Sequence, residues 1–228
     1  MTMAGRLQQV RARVAAACAA TQRDVHSVTI LAVSKTVDAA RVREAYALGQ
    51  RSFGENYVQE AVDKIEALAD LRGMLQWHLI GPLQSNKTRV VAEHFDWVHS
   101  VDRLKTAQRL SEQRPASLPD LQVCLQVNVS GEASKSGVAP QDVPALAHAV
   151  AALPRLRLRG LMSIPEPAAD AQAQRVPHAA LHDLLRGLQA QGLAVDTLSM
   201  GMSADLEAAV QEGATLVRIG TAIFGARH

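Results

Sequence analysis

Aromatic side chains are scarce in this chain, with three Phe, two Trp and two Tyr among 228 residues. Few stacking platforms are therefore available for the bases of a single-stranded nucleic acid. Charge of one sign is equally wanting: 24 basic side chains stand against 22 acidic ones, a formal +2, too little to set up a field that attracts a polyanion. No nucleic-acid partner is expected. The two cysteines, Cys18 and Cys124, are too few for a disulfide framework and form no CxxC pair. Each sits in an apolar run, where a small reduced thiol packs as a hydrophobe. Long hydrophobic runs are missing too. The longest early one, Val14 to Ala20, is short and Ala-rich, and it follows Arg6, Arg11 and Arg13 at helical spacing. A signal peptide or a membrane span needs a longer apolar stretch. A cytoplasmic protein without a membrane partner is expected.

What the chain has is apolar material, 48% of residues against 20% charged, enough to bury a substantial core. One domain over 1–228 is expected, because α/β barrels commonly exceed 200 residues as a single unit. Val28 to Val33 is a continuous β-branched run that reads as a strand buried on both faces. Asp38 can cap the segment after it, in which Ala39, Val42, Ala45 and Tyr46 recur at helical spacing up to Gly49. The same alternation continues. Strands are predicted near Arg51 to Gly54, Leu75 to Ile80, Asp96 to His99, Leu121 to Val129, Leu156 to Ile164, Val195 to Met200 and Leu216 to Ile219. Helices are predicted over Tyr57 to Leu68, Lys87 to His94, from Asp102, over Asp142 to Leu153, in the stretch ending near Gly192, and over Asp205 to Glu212, with a short turn at the end. Eight rounds of strand and helix are what a closed (β/α)8 TIM barrel requires, here with an extra N-terminal helix. An open doubly wound sheet is the alternative, but no GxGxxG follows the first strand to support its dinucleotide-binding form. The stretches Pro115 to Pro119 and Pro165 to Pro177 read as connections.

In such a barrel, reactive groups gather where strands end. Polar residues predicted there are Lys35, Glu55, Asn56, His78, Gln84 to Lys87, Asn128, Met162, Ser163, Ser199 to Ser203, Arg218, Gly220 and Thr221. Lys35 leaves an apolar strand directly. It is either a lysine whose stem carries its head to water or an amine nucleophile toward an aldehyde. The loops after strands seven and eight are the usual phosphate position of these barrels. There Gly201 and Gly220 allow close backbone approach, and Ser203 and Thr221 offer hydroxyl donors. Arg218 lies within an apolar strand, where a permanent charge requires hydrogen-bond acceptors. It either pairs with an inner carboxylate such as Glu55 or faces a pyridine ring nitrogen. An aldehyde for a lysine, a phosphate for loop amides and a ring nitrogen for Arg combine in pyridoxal phosphate (PLP).

These residues resemble the pyridoxal phosphate homeostasis proteins, single-domain relatives of the barrel half of bacterial alanine racemase (PLP fold-type III). The motifs are Ala32-Val33-Ser34-Lys35-Thr36, Phe53-Gly54-Glu55-Asn56-Tyr57-Val58-Gln59-Glu60, Trp77-His78 with Ile80-Gly81-Pro82-Leu83-Gln84-Ser85-Asn86-Lys87, Gln126-Val127-Asn128, Lys135-Ser136-Gly137, Leu198 to Ser203 and Arg218 to Gly225. The resemblance implies that Lys35 holds PLP as a Schiff base. It also implies that Asn56 lies beside the cofactor and Met162 near its ring. Ser199, Gly201, Ser203, Gly220 and Thr221 would surround the phosphate, with Arg218 at the ring nitrogen. His78, Asn86, Lys87 and Lys135 match family motifs without an assignable role.

Holding a cofactor does not make an enzyme. A guanidinium beside the pyridine nitrogen stays protonated and leaves the ring a weak electron sink, and a two-base racemase needs a second acid–base group opposite Lys35. Tyr46, read as mid-helix, and Tyr57, at the start of the second helix, are the tyrosines present. The expected function is a PLP carrier in vitamin B6 homeostasis with little or no amino-acid turnover, its partners PLP and apo PLP-dependent enzymes, and a monomer. The alternative is a racemase-like PLP enzyme acting on a small amino acid. No metal site is expected. His178 and His182, four apart, read as a solvated helix face, and His94, His99, His148 and His228 show no ligand spacing. Gly131 to Gly137 fails the phosphate-loop pattern by one residue and lacks its lysine.

Overall fold

The computed structural model describes residues 1–131, 136–168 and 170–225. Eight parallel strands close in chain order, the last pairing with the first: β1 Thr29–Val33, β2 Ser52–Glu55, β3 Gln76–Leu79, β4 Trp97–Val101, β5 Leu121–Gln126, β6 Leu156–Met162, β7 Thr197–Ser199 and β8 Leu216–Ile219. The predicted barrel is the observed one. Each strand matches a predicted run: β8 coincides with it, β4 runs two residues further at its end, and the others are shortened or shifted by one to three residues. Hydrogen bonding ends in a barrel wherever the neighbouring strand turns away, so the long apolar runs at β5, β6 and β7 overestimate strand length. At the closure Leu31 faces Arg218 and Ala32 faces Ile219.

Helices α2 Ala39–Ala47, α3 Val58–Ala67, α4 Thr88–His94, α5 Leu104–Gln113, α6 Val143–Ala151, α7 Ala171–Ala190, α8 Leu206–Gln211 and α9 Thr221–Phe224 follow the strands, and α1 Met3–Ala20 precedes them. Asp38 caps α2 as expected, its carboxylate accepting from Arg41 N–H at 2.8 Å. Tyr46 lies within α2 and Tyr57 at the entry to α3. Pro177 was expected in a connection but stands inside α7. A proline there removes one backbone bond and costs about 3 kcal/mol. The helix persists through it because Asp170 caps its start, with Ala173 N–H donating at 2.8 Å, and because His178, Leu181, Leu185 and Leu188 bury a continuous stripe at i, i+3, i+7 and i+10.

The extra helix α1 buries Met3, Leu7, Val10, Val14, Ala17 and Cys18 on one face. Two of its arginines serve the segments after β7 and β8. Arg13 grips Glu207 through two bonds of 2.7 and 2.8 Å and donates to Ser203 O at 2.9 Å, while Arg6 donates to Ile223 O at 2.7 Å. The loops after β7 and β8 are thus held from outside by a helix that the barrel topology does not require. Cys18 and Cys124 are buried and free, and burial pushes the Cys124 thiol up to about 12. Among the described residues no helix is long and apolar enough to cross a membrane.

Candidate functional site

A cavity of about 470 Å³ opens at the C-terminal ends of the strands, within the size range of small-molecule sites. Lys35 follows β1, Asn56 follows β2, Ser203 follows β7, and Arg218, Gly220 and Thr221 come from the end of β8; all six line it. Val33, Ile80, Ile164 and Phe224 supply apolar wall. Six of the nine predicted binding residues are thereby brought together from separate parts of the chain.

The other three lie behind this lining. Met162 is fully buried in β6. Gly201 takes φ +89°, and its carbonyl accepts from Arg218 N–H at 2.9 Å. Ser199, also fully buried, accepts from Arg218 Nη1 at 2.9 Å and bonds His99 Nδ1 at 2.8 Å. In this structure it holds the arginine. The sequence singled out these residues as strand-end neighbours, but only the pleat decides which of two adjacent side chains reaches the mouth.

Arg218 does not pair with Glu55. Its Nη1 donates to Ser199 O and Oγ, and its Nη2 donates to Ser163 O at 2.7 Å. Two of its five donors, Nε–H and one Nη2–H, are left without a protein partner among the described contacts. Burial lowers its pKa to about 10, so it remains a cation at neutral pH. Glu55 is instead committed to Lys64 Nζ at 2.9 Å and Ser34 Oγ at 2.6 Å. A buried carboxylate takes the nearest donors, and α3 delivers a lysine that no strand-end argument would find.

Behind Ser199 the bonding continues from His99 Nε2 to His78 Nδ1 at 2.9 Å. Arg218 can only donate. The assignment that satisfies both of these bonds passes the Ser199 proton to His99 Nδ1 and the His99 Nε2–H to His78 Nδ1. His78 Nε2 is buried without a partner. Burial lowers His78 to about 3 and His99 well below the usual imidazole range. Both rings are therefore neutral in the fold and titrate near 6.5 when unfolded. Stability is full above that value and declines as pH falls toward 3, by about 1.4 kcal/mol per pH unit for His78 alone. Urea unfolding is expected to give roughly 2 kcal/mol less from His78 at pH 5 than at pH 8. A flat profile over that interval would contradict the buried pair. His99 had carried no sequence signal beyond being a histidine in a strand.

His178 is likewise not on a solvated face. It is fully buried, and its Nε2 bonds Asp205 Oδ2 at 2.9 Å. Asp205 Oδ1 in turn accepts from Met202 N–H at 2.7 Å, bracing the loop that carries Ser203. Burial pushes the Asp205 carboxyl up, but the bonds from His178 and Met202 outweigh it and hold it below the ordinary range. His182 lies against Gly213. No metal-holding group of three His, Cys, Asp or Glu is found among the described residues. Asn86 is exposed in the turn after β3 and Lys87 is half-buried there. Lys135, most of the Gly131 to Gly137 stretch, and His228 lie outside the described residues.

The family model for the N-terminal domain of alanine racemase matches residues 6–228. A pyridoxal phosphate homeostasis protein from Pseudomonas aeruginosa is 66% identical over 226 residues, covering 99% of this chain and 96% of that protein. The chain belongs to the pyridoxal phosphate homeostasis proteins. Another member, from Escherichia coli K12, is 54% identical over 99% of this chain and 97% of its own length. The solved structure of PipY from Synechococcus elongatus with PLP bound superposes with a TM-score of 0.85 at 41% identity, covering 98% of this chain and all of that one. Membership matches the resemblance read from the Lys35, Asn56 and Arg218 motifs.

Proposed function

We propose that the cavity binds pyridoxal 5′-phosphate and that the protein serves intracellular PLP homeostasis by holding and releasing it. The observation that carries this reading is the convergence of Lys35, Asn56, Ser203, Arg218, Gly220 and Thr221 on one cavity. Among the described lining residues Lys35 alone carries a primary amine, and it supplies the group for the cofactor's aldehyde. Arg218, with two donors unused among the described contacts, would give one of them to the lone pair of the ring nitrogen. Asn56 Oδ1, buried without a partner, gains one beside the ring. Ser203, Gly220 and Thr221 receive the phosphate through hydroxyls and the N–H groups that a helix start leaves unpaired. Ser199, Gly201 and Met162 act from behind, by fixing Arg218 and the floor. When bound, PLP supplies an electrophilic carbonyl and a conjugated ring.

Turnover of amino acids needs a second proton-transferring group opposite the amine. Among the described lining residues, Asn56, Ser203 and Thr221 are not bases at neutral pH, and Arg218 stays charged. His78 and His99 are sealed behind Ser199 and held neutral. Tyr57, 57% exposed next to Asn56, is the nearest candidate for the racemase-like alternative. The barrel acts as one unit over 1–228 in the cytoplasm, as a monomer, and apo PLP-dependent enzymes are the recipients. Purified protein with added PLP is expected to show a visible absorption band absent from free cofactor. It is also expected to exchange the Cα proton of amino acids in deuterated water no faster than PLP alone. Sustained exchange far above that level would favour the enzyme; the absence of a bound chromophore would remove the carrier.

A further inference from the structure

The residues on either side of Lys35 are held by groups that do not line the cavity. Lys64, on α3, is only 6% exposed, and its ammonium donates to Ser34 O at 2.6 Å, Glu55 Oε1 at 2.9 Å and Glu60 Oε1 at 2.6 Å. Ser34 Oγ donates to the same Glu55 oxygen. On the far side, Glu60 Oε1 also accepts the Thr36 N–H. Thr36 stands at φ +62°, a left-handed conformation that a β-branched residue adopts only when its surroundings impose it. One buried ammonium and two carboxylates thus pin residue 34 by its carbonyl and its hydroxyl, and residue 36 by its amide, leaving Lys35 between two fixed peptide units.

A buried ion pair adds little to stability beyond what well-packed apolar residues of the same volume would give. Its use is in geometry, and every bond of this one that leaves the three charged groups ends on residues 34 to 36. We propose that Lys64 and Glu60 are positioning residues for Lys35. Through the strand-end backbone they hold its amine in the orientation that meets an aldehyde in the cavity. This rests on the reading of Lys35 as the PLP anchor. The reaction they serve is the condensation of an unprotonated primary amine with that aldehyde. A carbon–nitrogen double bond forms, and the carbonyl oxygen leaves as water with the two amine hydrogens. No oxidant or reductant is consumed.

The test compares wild type with Lys64→Met, Glu60→Ala and Glu60→Gln in two measurements. The first is titration with PLP followed by borohydride reduction and peptide mass mapping of the adduct. The second is calorimetric binding of pyridoxine 5′-phosphate, which fills the same cavity but carries an alcohol instead of the aldehyde. Lys64→Met and Glu60→Ala are expected to lower adduct yield at limiting PLP by at least about tenfold. Pyridoxine phosphate affinity should stay within about twofold, since the cavity contacts are unchanged. Glu60→Gln retains an oxygen for the Thr36 N–H and is expected to keep most of the yield. Unchanged yield in both disruptive variants overturns the proposal. So does an equal loss of both ligands in Glu60→Ala, whose half-exposed side chain can be truncated without emptying the core, because that would mark a general collapse of the site. If Lys64→Met does not fold, the two Glu60 variants decide the matter alone. A wild-type protein that forms no adduct at Lys35 fails at the earlier step, and the anchor reading falls together with this one.

Discussion

Lys35→Ala is expected to abolish both the visible band of the PLP-loaded protein and the borohydride-stable adduct at this position. The expectation follows from what lines the cavity: no other described lining residue carries a primary amine, and a guanidinium such as Arg218 does not condense with an aldehyde under ordinary conditions. Non-covalent contacts from Arg218, Asn56, Ser203, Gly220 and Thr221 remain, so residual binding is expected to be weakened by about a hundredfold. Lys35→Arg is the control that keeps the charge and loses the chemistry. It should behave like the alanine variant in trapping. Lys35 is half-buried, and among the described residues no hydrogen bond ties its side chain to the protein. Its removal should therefore shift stability by no more than about 0.5 kcal/mol. Intact-mass analysis of the reduced protein reads the result directly. A full-yield adduct in Lys35→Ala would place the anchor on another side chain and dismantle the proposed function.

Gly81→Ala is expected to damage the fold and the site together. Gly81 follows the exit of β3 and lies flat against the backbone that follows β2. A methyl group at its Cα would sit 2.3 Å from Asn56 O and 2.6 Å from Asn56 Cα. These are main-chain atoms, so the clash cannot be relieved by a rotamer change. Ile80 N–H donates to Glu55 O at 2.9 Å in the same corner, which pins the two exits to each other. Relief requires separating them, and Asn56 moves away from the cavity as they part. About 3 kcal/mol of destabilisation is expected, which for a chain of this size lowers the melting temperature by about 6–12 °C. PLP binding should weaken by about tenfold in the fraction that remains folded. Gly73→Ala, where the added methyl meets nothing within 4 Å, is the matched control and should melt like wild type. An unchanged melting temperature for Gly81→Ala would mean that the β2 and β3 exits do not pack as described.

The alternation of strand and helix could be read because parallel strands buried on both faces make continuous apolar runs, whereas the covering helices bury one stripe. Val28 to Val33 and Leu216 to Ile219 are plain examples, and they prove to be neighbours at the barrel's closure. Pro177 misled for a local reason: its propensity argues against a helix, but the stripe of His178, Leu181, Leu185 and Leu188 outweighs it. The histidines misled for the opposite reason. Spacing placed His178 and His182 on one face of a helix, but spacing does not say which face is buried. His178 turned inward to Asp205 across 27 residues of sequence.

The candidate site divides in the same way. Residues that line the cavity stand at strand ends, and a strand end carries a local mark: Lys35 after an apolar run, glycine with a hydroxyl residue after the seventh and eighth strands. Their supports carry no such mark. His99 bonds Ser199, which in turn accepts from Arg218, from a strand three steps around the barrel, and from the outer ring Lys64 bonds Ser34 while Glu60 accepts the Thr36 N–H. Neither the His99–Ser199 nor the Lys64–Ser34 partnership has a spacing that recurs in sequence.

The amino-acid order by itself made legible the eight rounds of strand and helix, the amine at the end of the first strand and the glycine–hydroxyl loops after the seventh and eighth, because burial periodicity and turn chemistry act over a few residues at a time. Tertiary structure alone decided which polar groups face the cavity and which face one another. Arg218 binds Ser199 and Ser163 instead of Glu55, and Glu55 takes Lys64. Such choices depend on distances across the barrel, and in a low-dielectric interior each buried donor or acceptor settles on whatever partner the closure brings within reach.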